Sequence, residues 1–157
     1  MSSDQTQIPV DPAAWIRVSD LLQAYANAID SGDIPAILQL FTPDAIWEYA
    51  PGTTRQGHEA IGLFFEERMR AFNRTSHNVG PPVVRRGSLP DSFDSTAYFQ
   101  GKHLLHDGTY YCVWGRYVDL VVTSGTGLLI AKRAVVAHVT EGTQRAYTML
   151  PRKPPPA

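Results

Sequence analysis

Imidazole is the side chain whose charge ordinarily changes near neutral pH, and five histidines stand in this chain. His77 lies in the apolar run RTSHNVGPPVV, residues 74–84. In such a run the ring is a core histidine with satisfied nitrogens, a surface ring, or a base held at a pocket wall. His103 shares its strand face with Ala97, Phe99, Gly101 and Leu105, the alternation expected of a cavity-lining row. Asp30 closes the first helical segment, where a carboxylate meets the negative end of the helix dipole at a cost of roughly 0.3–1 kcal/mol when exposed. It needs a compensating partner there, although DSGD at 30–33 is also an ordinary solvated turn. His106 adjoins the Asp107-Gly108 turn, and His58 and His138 have no spacing that suggests a ligand or base. His103 and His106, three apart on a strand, point to opposite faces, so no metal site is expected. Nor is there a Gly-rich phosphate loop, a GxSxG elbow or a dinucleotide fingerprint, so no cofactor is expected.

The elements that must position these residues follow from periodicity. Asp11 before Pro12 is an N-cap with proline at the first helical position, and Trp15, Val18, Leu22, Tyr25 and Ile29 recur at helical steps. The helix should stop at Ser31-Gly32, and Asp33 can cap a second short helix carrying Ile37, Leu38 and Phe41. DAIWEYAPG, residues 44–52, reads as a strand ending in the Pro51-Gly52 turn. GHEAIGLFFEERMRAF, residues 57–72, returns to helical spacing. From Arg74 the period becomes two, with strands expected near 75–85, 94–106, 109–123 and 127–140 and a tight hairpin at Asp107-Gly108. Helices first and a long antiparallel meander afterwards predict an α+β domain over residues 1–150 whose sheet curls round the helices. PRKPPPA, residues 151–157, reads as a disordered tail.

Composition narrows the partners. Fourteen Lys and Arg against fifteen Asp and Glu, a net charge of -1, argue against a nucleic-acid footprint. The single Cys112 excludes an internal disulfide and leaves no thiolate cluster for zinc. No stretch approaches the roughly 18 apolar residues of a spanning helix, and the first residues lack a secretory pattern, so a soluble cytoplasmic protein without membrane contact is expected.

The segment LLQAYANAIDSGDIPAILQLFTPDAIWEYAPG, residues 21–52, with GHEAI after it, resembles the nuclear transport factor 2-like superfamily, called SnoaL-like in many bacterial members. The resemblance spans roughly residues 13 to 140. It implies a cone-shaped fold, three N-terminal helices packed into a strongly bent, mainly antiparallel sheet that encloses an apolar pocket. Ketosteroid isomerases of this superfamily have a tyrosine oxyanion donor that matches Tyr25, but Tyr49 stands where their catalytic base lies. Limonene epoxide hydrolases need an arginine and aspartate set for which the sequence offers no arrangement. Scytalone dehydratases, the hexachlorocyclohexane dehydrochlorinase and the bile acid 7α-dehydratases are more similar, because their Asp at the end of the first helix and His early in the strand after the third helix match Asp30 and His77.

The resemblance then implies a dyad. An imidazole donating one N–H to Asp30 would have its tautomer fixed and its other nitrogen free to take a proton, and a base and an acid are each worth roughly 10²–10⁴-fold in such an elimination. His103 is the candidate acid; a direct register with the family's acid falls at Leu105, two residues on. Tyr25, Trp47, Tyr49, Phe65, Phe99, Tyr117 and Asp119 are the candidate substrate-binding residues. Trp47 matches a pocket tryptophan of the dehydrochlorinase, while Tyr117 and Asp119 in WGRYVD are equally cross-strand neighbours of Arg133. The expected activity is that of a cofactor-independent lyase or isomerase, dehydratase-like, on a small hydrophobic, cyclic or polyketide-like substrate. A non-catalytic ligand-binding or subunit-pairing module and a polyketide cyclase are the alternatives. A homodimer is the expected assembly.

Overall fold

The fold is that of a computed structural model, which describes residues 10–49 and 53–142. The expected turn at Pro51-Gly52 and the Pro-rich segment 151–157 lie outside these residues. Helix α1 (Pro12–Ser31) starts where the Asp11 carboxylate accepts from the Ala13 N–H at 3.2 Å. It stops at Gly32, whose φ of 67° is the left-handed conformation that glycine adopts without strain. The Asp33 N–H then reaches back to the Ala28 carbonyl at 3.0 Å, and the Asp33 side chain caps α2 (Ile34–Gln39) through the Ala36 N–H. This tight double use of residues 32 and 33 fixes the direction in which Asp30, just before it, projects.

Helix α2 is shorter than its apolar spacing predicts. Phe41 opens strand β1 (Phe41–Tyr49) instead, where its ring is buried edge-on to Tyr25 at 5.8 Å. A short strand β2 (Thr54–Gln56), with too little pattern to show in the sequence, pairs with β1 and leads into α3 (Gly57–Ala71). The strand expected near 75–85 is two strands, β3 (Phe72–Val79) and β4 (Val83–Arg86). Gly80-Pro81-Pro82 separates them because proline has no N–H to give a ladder. Strands β5 (Ser92–Leu105), β6 (Tyr110–Ser124) and β7 (Gly127–Gly142) form the meander, within one or two residues of their expected ends.

The sheet order is β2-β1-β7-β6-β5-β3, with β4 beside the first half of β5. All pairings are antiparallel except β1 with β7, so the sheet is mixed, unclosed and strongly curved, and the three helices pack against it. Its register slips at Trp114/Gly115 and Leu120/Val121, bulges of the kind that bend a long hairpin. The core fills the concavity with Val18, Leu21, Ile29, Ile37, Ile61 and Val121. Two side-chain bonds fasten α1 to the far side: Gln23 Nε2 donates to the Val79 carbonyl at 3.1 Å, and Trp15 Nε1 to the Pro82 carbonyl at 2.8 Å. No helix among the described residues is long and apolar enough to cross a membrane.

Gly115 is required by the first bulge. A Cβ there would lie 2.3 Å from the Val136 carbonyl oxygen and 2.9 Å from Phe99 Cε1, and backbone cannot move aside cheaply. Gly115→Ala should therefore cost about 1–3 kcal/mol. For a chain of this size that is roughly 2–4 °C of Tm per kcal/mol. An unchanged melting temperature by calorimetry would show that the bend does not depend on this close approach.

Candidate active site

The end of α1 and the middle of β3 meet at Asp30. Its Oδ2 accepts the His77 backbone N–H at 2.7 Å, while Oδ1 accepts the Thr75 hydroxyl at 2.9 Å and faces His77 Nδ1 at 2.7 Å. An ionised carboxylate can only accept, so Nδ1 is the donor, and in the neutral form of the ring Nε2 is the nitrogen that carries the lone pair. Partial burial alone would raise the Asp30 pKa. The hydrogen bonds from the His77 ring and backbone, then the charge of His77 and the Thr75 hydroxyl, outweigh it and hold the carboxyl below its ordinary value. The Asp30 side chain keeps 29% exposure, whereas that of His77 keeps 7%. His77 and Thr75 line one cavity with Asp30 bonded to both, and the dipole mismatch at the end of α1 is met by three donors.

His77 Nε2 has room because its cross-strand neighbour is Gly101. A Cβ at 101 would sit 3.0 Å from His77 Nε2 and 3.0 Å from His103 Cε1. The two imidazoles are nearly perpendicular, centroids 5.2 Å apart, and His103 stacks on Tyr111 at 4.6 Å with Phe72 tilted against it at 4.8 Å. Burial, then the charge of His77, lowers the His103 pKa to about 3. A ring held neutral has no imidazolium proton to deliver at neutral pH, so an acid role for His103 would have to draw on its neutral N–H. Its buried Nδ1 has no hydrogen-bond partner among the described residues.

The cavity between helices and sheet has a volume of about 70 Å³, several times the roughly 10–15 Å³ that one water needs. Tyr25, Trp47, Tyr49, Phe65, Phe99, Tyr117, His77 and His103 all line it. Trp47 and Tyr49 are stacked, planes 4° apart, as are Phe99 and Tyr117, planes 2° apart. Asp119 is the exception among the expected substrate-binding residues. It does not line the cavity, because Arg133 holds it in a fully buried two-pronged pair at 2.8 and 2.7 Å. Tyr25 and Tyr117 cover that guanidinium with their rings, 3.9 and 4.3 Å from the carbon. Burial raises the Tyr25 pKa against the opposing charge of Arg133, and raises that of Tyr117 well above its ordinary value. Both phenols are therefore neutral. Burial would lower the Arg133 pKa, but Asp119 outweighs it and Arg133 stays charged.

The remaining histidines have structural partners: His58 with the Phe41 carbonyl, His106 with that of Arg70, and His138 with Arg116. Among the described residues no three His, Cys, Asp or Glu side chains group as a metal site requires. Sequence reasoning did not place Phe64, Arg68, Met69, Phe72, Thr75, Tyr111 or Val113 at the cavity. Thr75 was in principle legible, two residues before His77 and so on the same strand face.

A model of the SnoaL-like domain matches residues 16–134. The chain belongs to the SnoaL-like domain family. The fold of this SnoaL-like protein is similar to that of a candidate scytalone dehydratase from Novosphingobium aromaticivorans, with a TM-score of 0.83, 18% identity and coverage of 90% of this chain and 96% of that one. It is also similar to a candidate aromatic ring hydroxylase from Novosphingobium aromaticivorans, with a TM-score of 0.79, 28% identity and coverage of 86% and 96%. The type 2 hexachlorocyclohexane dehydrochlorinase LinA follows, with a TM-score of 0.72, 13% identity and coverage of 88% and 95%. None of the curated proteins matches the sequence.

The lowered Asp30 pKa fixes a sign. A carboxyl whose pKa is depressed on folding contributes stability above its unfolded value, about 3.9, and loses it as pH falls through the folded value. The stability of the wild type relative to Asp30→Asn should shrink as pH falls from about 4 toward about 2. Urea unfolding of both proteins across that range checks it, and a difference that grows on acidification would contradict the assignment.

Proposed function

We infer that this SnoaL-like protein is a cofactor-independent lyase or isomerase, dehydratase-like, acting on a small hydrophobic, cyclic substrate. The observation that carries the reading is the 2.7 Å contact of His77 Nδ1 with Asp30, which leaves Nε2 as a base at the cavity wall. His77 takes a proton from carbon, and the electron pair of the broken C–H bond becomes an enolate or the new double bond. In elimination the leaving oxygen departs with its bonding pair and receives that proton from the His77 imidazolium, so water is the co-product. In isomerisation the same proton returns to another carbon. Tyr25 and Tyr117, neutral phenols at the cavity, can donate to a substrate oxygen as charge develops on it. His103 takes part as a neutral ring. The likeness in fold to a candidate scytalone dehydratase and to LinA accords with this chemistry.

Proton abstraction can be tested before the natural substrate is known. In heavy water the protein should speed deuterium incorporation into an enolisable cyclic ketone such as 2-tetralone, followed by NMR. His77→Gln should slow it by at least ~10²-fold and Asp30→Asn comparably, with circular dichroism unchanged. Exchange by His77→Gln at the wild-type rate would remove His77 from the chemistry.

A subunit-pairing role has its own support, the outer face of the sheet. Tyr98, at 67% exposure, Val118 and Val139 stand on that face as exposed apolar side chains around half-buried Trp114. We read it as the surface that a second copy of the chain covers, which makes the homodimer the assembly and is compatible with catalysis inside. Sedimentation should give twice the chain mass, with Tyr98→Glu shifting the equilibrium to monomer. A wild type that stays monomeric at high concentration would refute it.

A further inference from the structure

Arg68 is a charge in an otherwise aromatic wall. It lies in the last turns of α3 and lines the same cavity as His77. Its guanidinium carbon is 5.2 Å from the centre of the Phe64 ring and 5.9 Å from that of Tyr49, which hold it at the aromatic side of the cavity. Arg70, two residues on, shows the ordinary behaviour of a basic residue at a helix end: it is exposed and pairs with Glu66 at 3.3 Å. Arg68 has no such partner, since among the described residues no carboxylate or carbonyl bonds to it. The helix dipole would be served equally well by a side chain in water.

No carboxylate lines the cavity among the described residues, and both oxygens of Asp30, which bonds the lining residues Thr75 and His77, are already committed to them. Arg68 lies close enough to His103 for its charge to help keep that ring neutral. His103 Nδ1 is buried without a partner, and Trp47 Nε1 lies toward the Tyr25 hydroxyl without a full hydrogen bond to it. The cavity thus presents flat aromatic faces, one uncompensated guanidinium and polar nitrogens with unused capacity. We propose that its ligand is a planar aromatic or polycyclic acid, whose carboxylate or equivalent anionic oxygen pairs with Arg68 while the ring system lies among Trp47, Tyr49 and Phe64. The proposal deepens the functional reading above by naming the substrate class, and it rests on that reading for the chemistry but not for the binding.

Binding can be read without turnover. Isothermal titration with 2-naphthoate and with 2-naphthamide, which share size and planarity but differ in charge, isolates the guanidinium. At low salt the acid should bind the wild type about tenfold tighter or more, the factor that one charge-assisted hydrogen bond supplies. Added salt should narrow that gap. Arg68→Gln should abolish the preference while leaving naphthamide binding and the circular dichroism spectrum unchanged, and His77→Gln should retain it. Equal affinities for the two ligands on the wild type, no binding of either, or a preference that survives Arg68→Gln would each overturn the proposal. If the preference is present but His77→Gln still exchanges the 2-tetralone protons normally, the catalytic reading fails and the anion site stands; the converse pattern sinks only the anion site.

Discussion

The junction at Asp30 is what the rest of the arrangement depends on. One carboxylate at the negative end of a twenty-residue helix gathers a backbone N–H, a hydroxyl and an imidazole from a single stretch of β3. A group that would destabilise the helix end in isolation becomes the tie between the helix and the sheet's far edge. Because Oδ2 takes the backbone N–H of the same residue whose ring meets Oδ1, His77 is fixed in both position and rotation. In the catalytic reading proposed above, a base held in this way would lose little orientational freedom on binding a substrate, which is where positioned acid–base groups gain over free ones.

A second polar centre lies deeper and behaves in the opposite way. Asp119 and Arg133 are both fully enclosed, and desolvating two charges costs several kcal/mol each. The cost is offset by two short bonds and by the faces of two tyrosines. The pair stiffens β6 against β7 where Asp119 and Arg133 are direct neighbours, and it fixes the two rings that form part of the cavity wall. The fold therefore keeps one ion pair dry and structural beneath the cavity and leaves the other, Asp30 with His77, at its edge.

What the sequence revealed depended on how local the cause was. The N-cap at Asp11, the stop at Gly32 and the hairpin at Asp107-Gly108 are each set by a few adjacent residues, and each stands where it was expected. Asp30 and His77 were found through a family pattern, and only the folded chain brings them to 2.7 Å. Phe41 has the spacing of a helix residue, yet the parallel pairing of β1 with β7 claims it, a partner eighty-nine residues away. Asp119 alternates like a cavity residue, and nothing in its neighbourhood says that Arg133 will take both its oxygens. Arg68 reads as one more cation at a helix end until Tyr49 and Phe64 are seen beside it.

Four groups around His77 are each held in one charge state. Asp30 is kept ionised by its three donors, Tyr25 and Tyr117 are kept neutral by burial, and His103 is kept neutral by burial with the help of nearby positive charge. In the proposed reaction a second imidazolium beside His77 would oppose protonation of the base, since like charges at about 5 Å disfavour each other strongly where water is scarce. A neutral His103 removes that opposition and still offers a ring nitrogen to a bound oxygen. The glycine at 101 completes the division, because a Cβ there would press on both rings, 3.0 Å from His77 Nε2 and 3.0 Å from His103 Cε1.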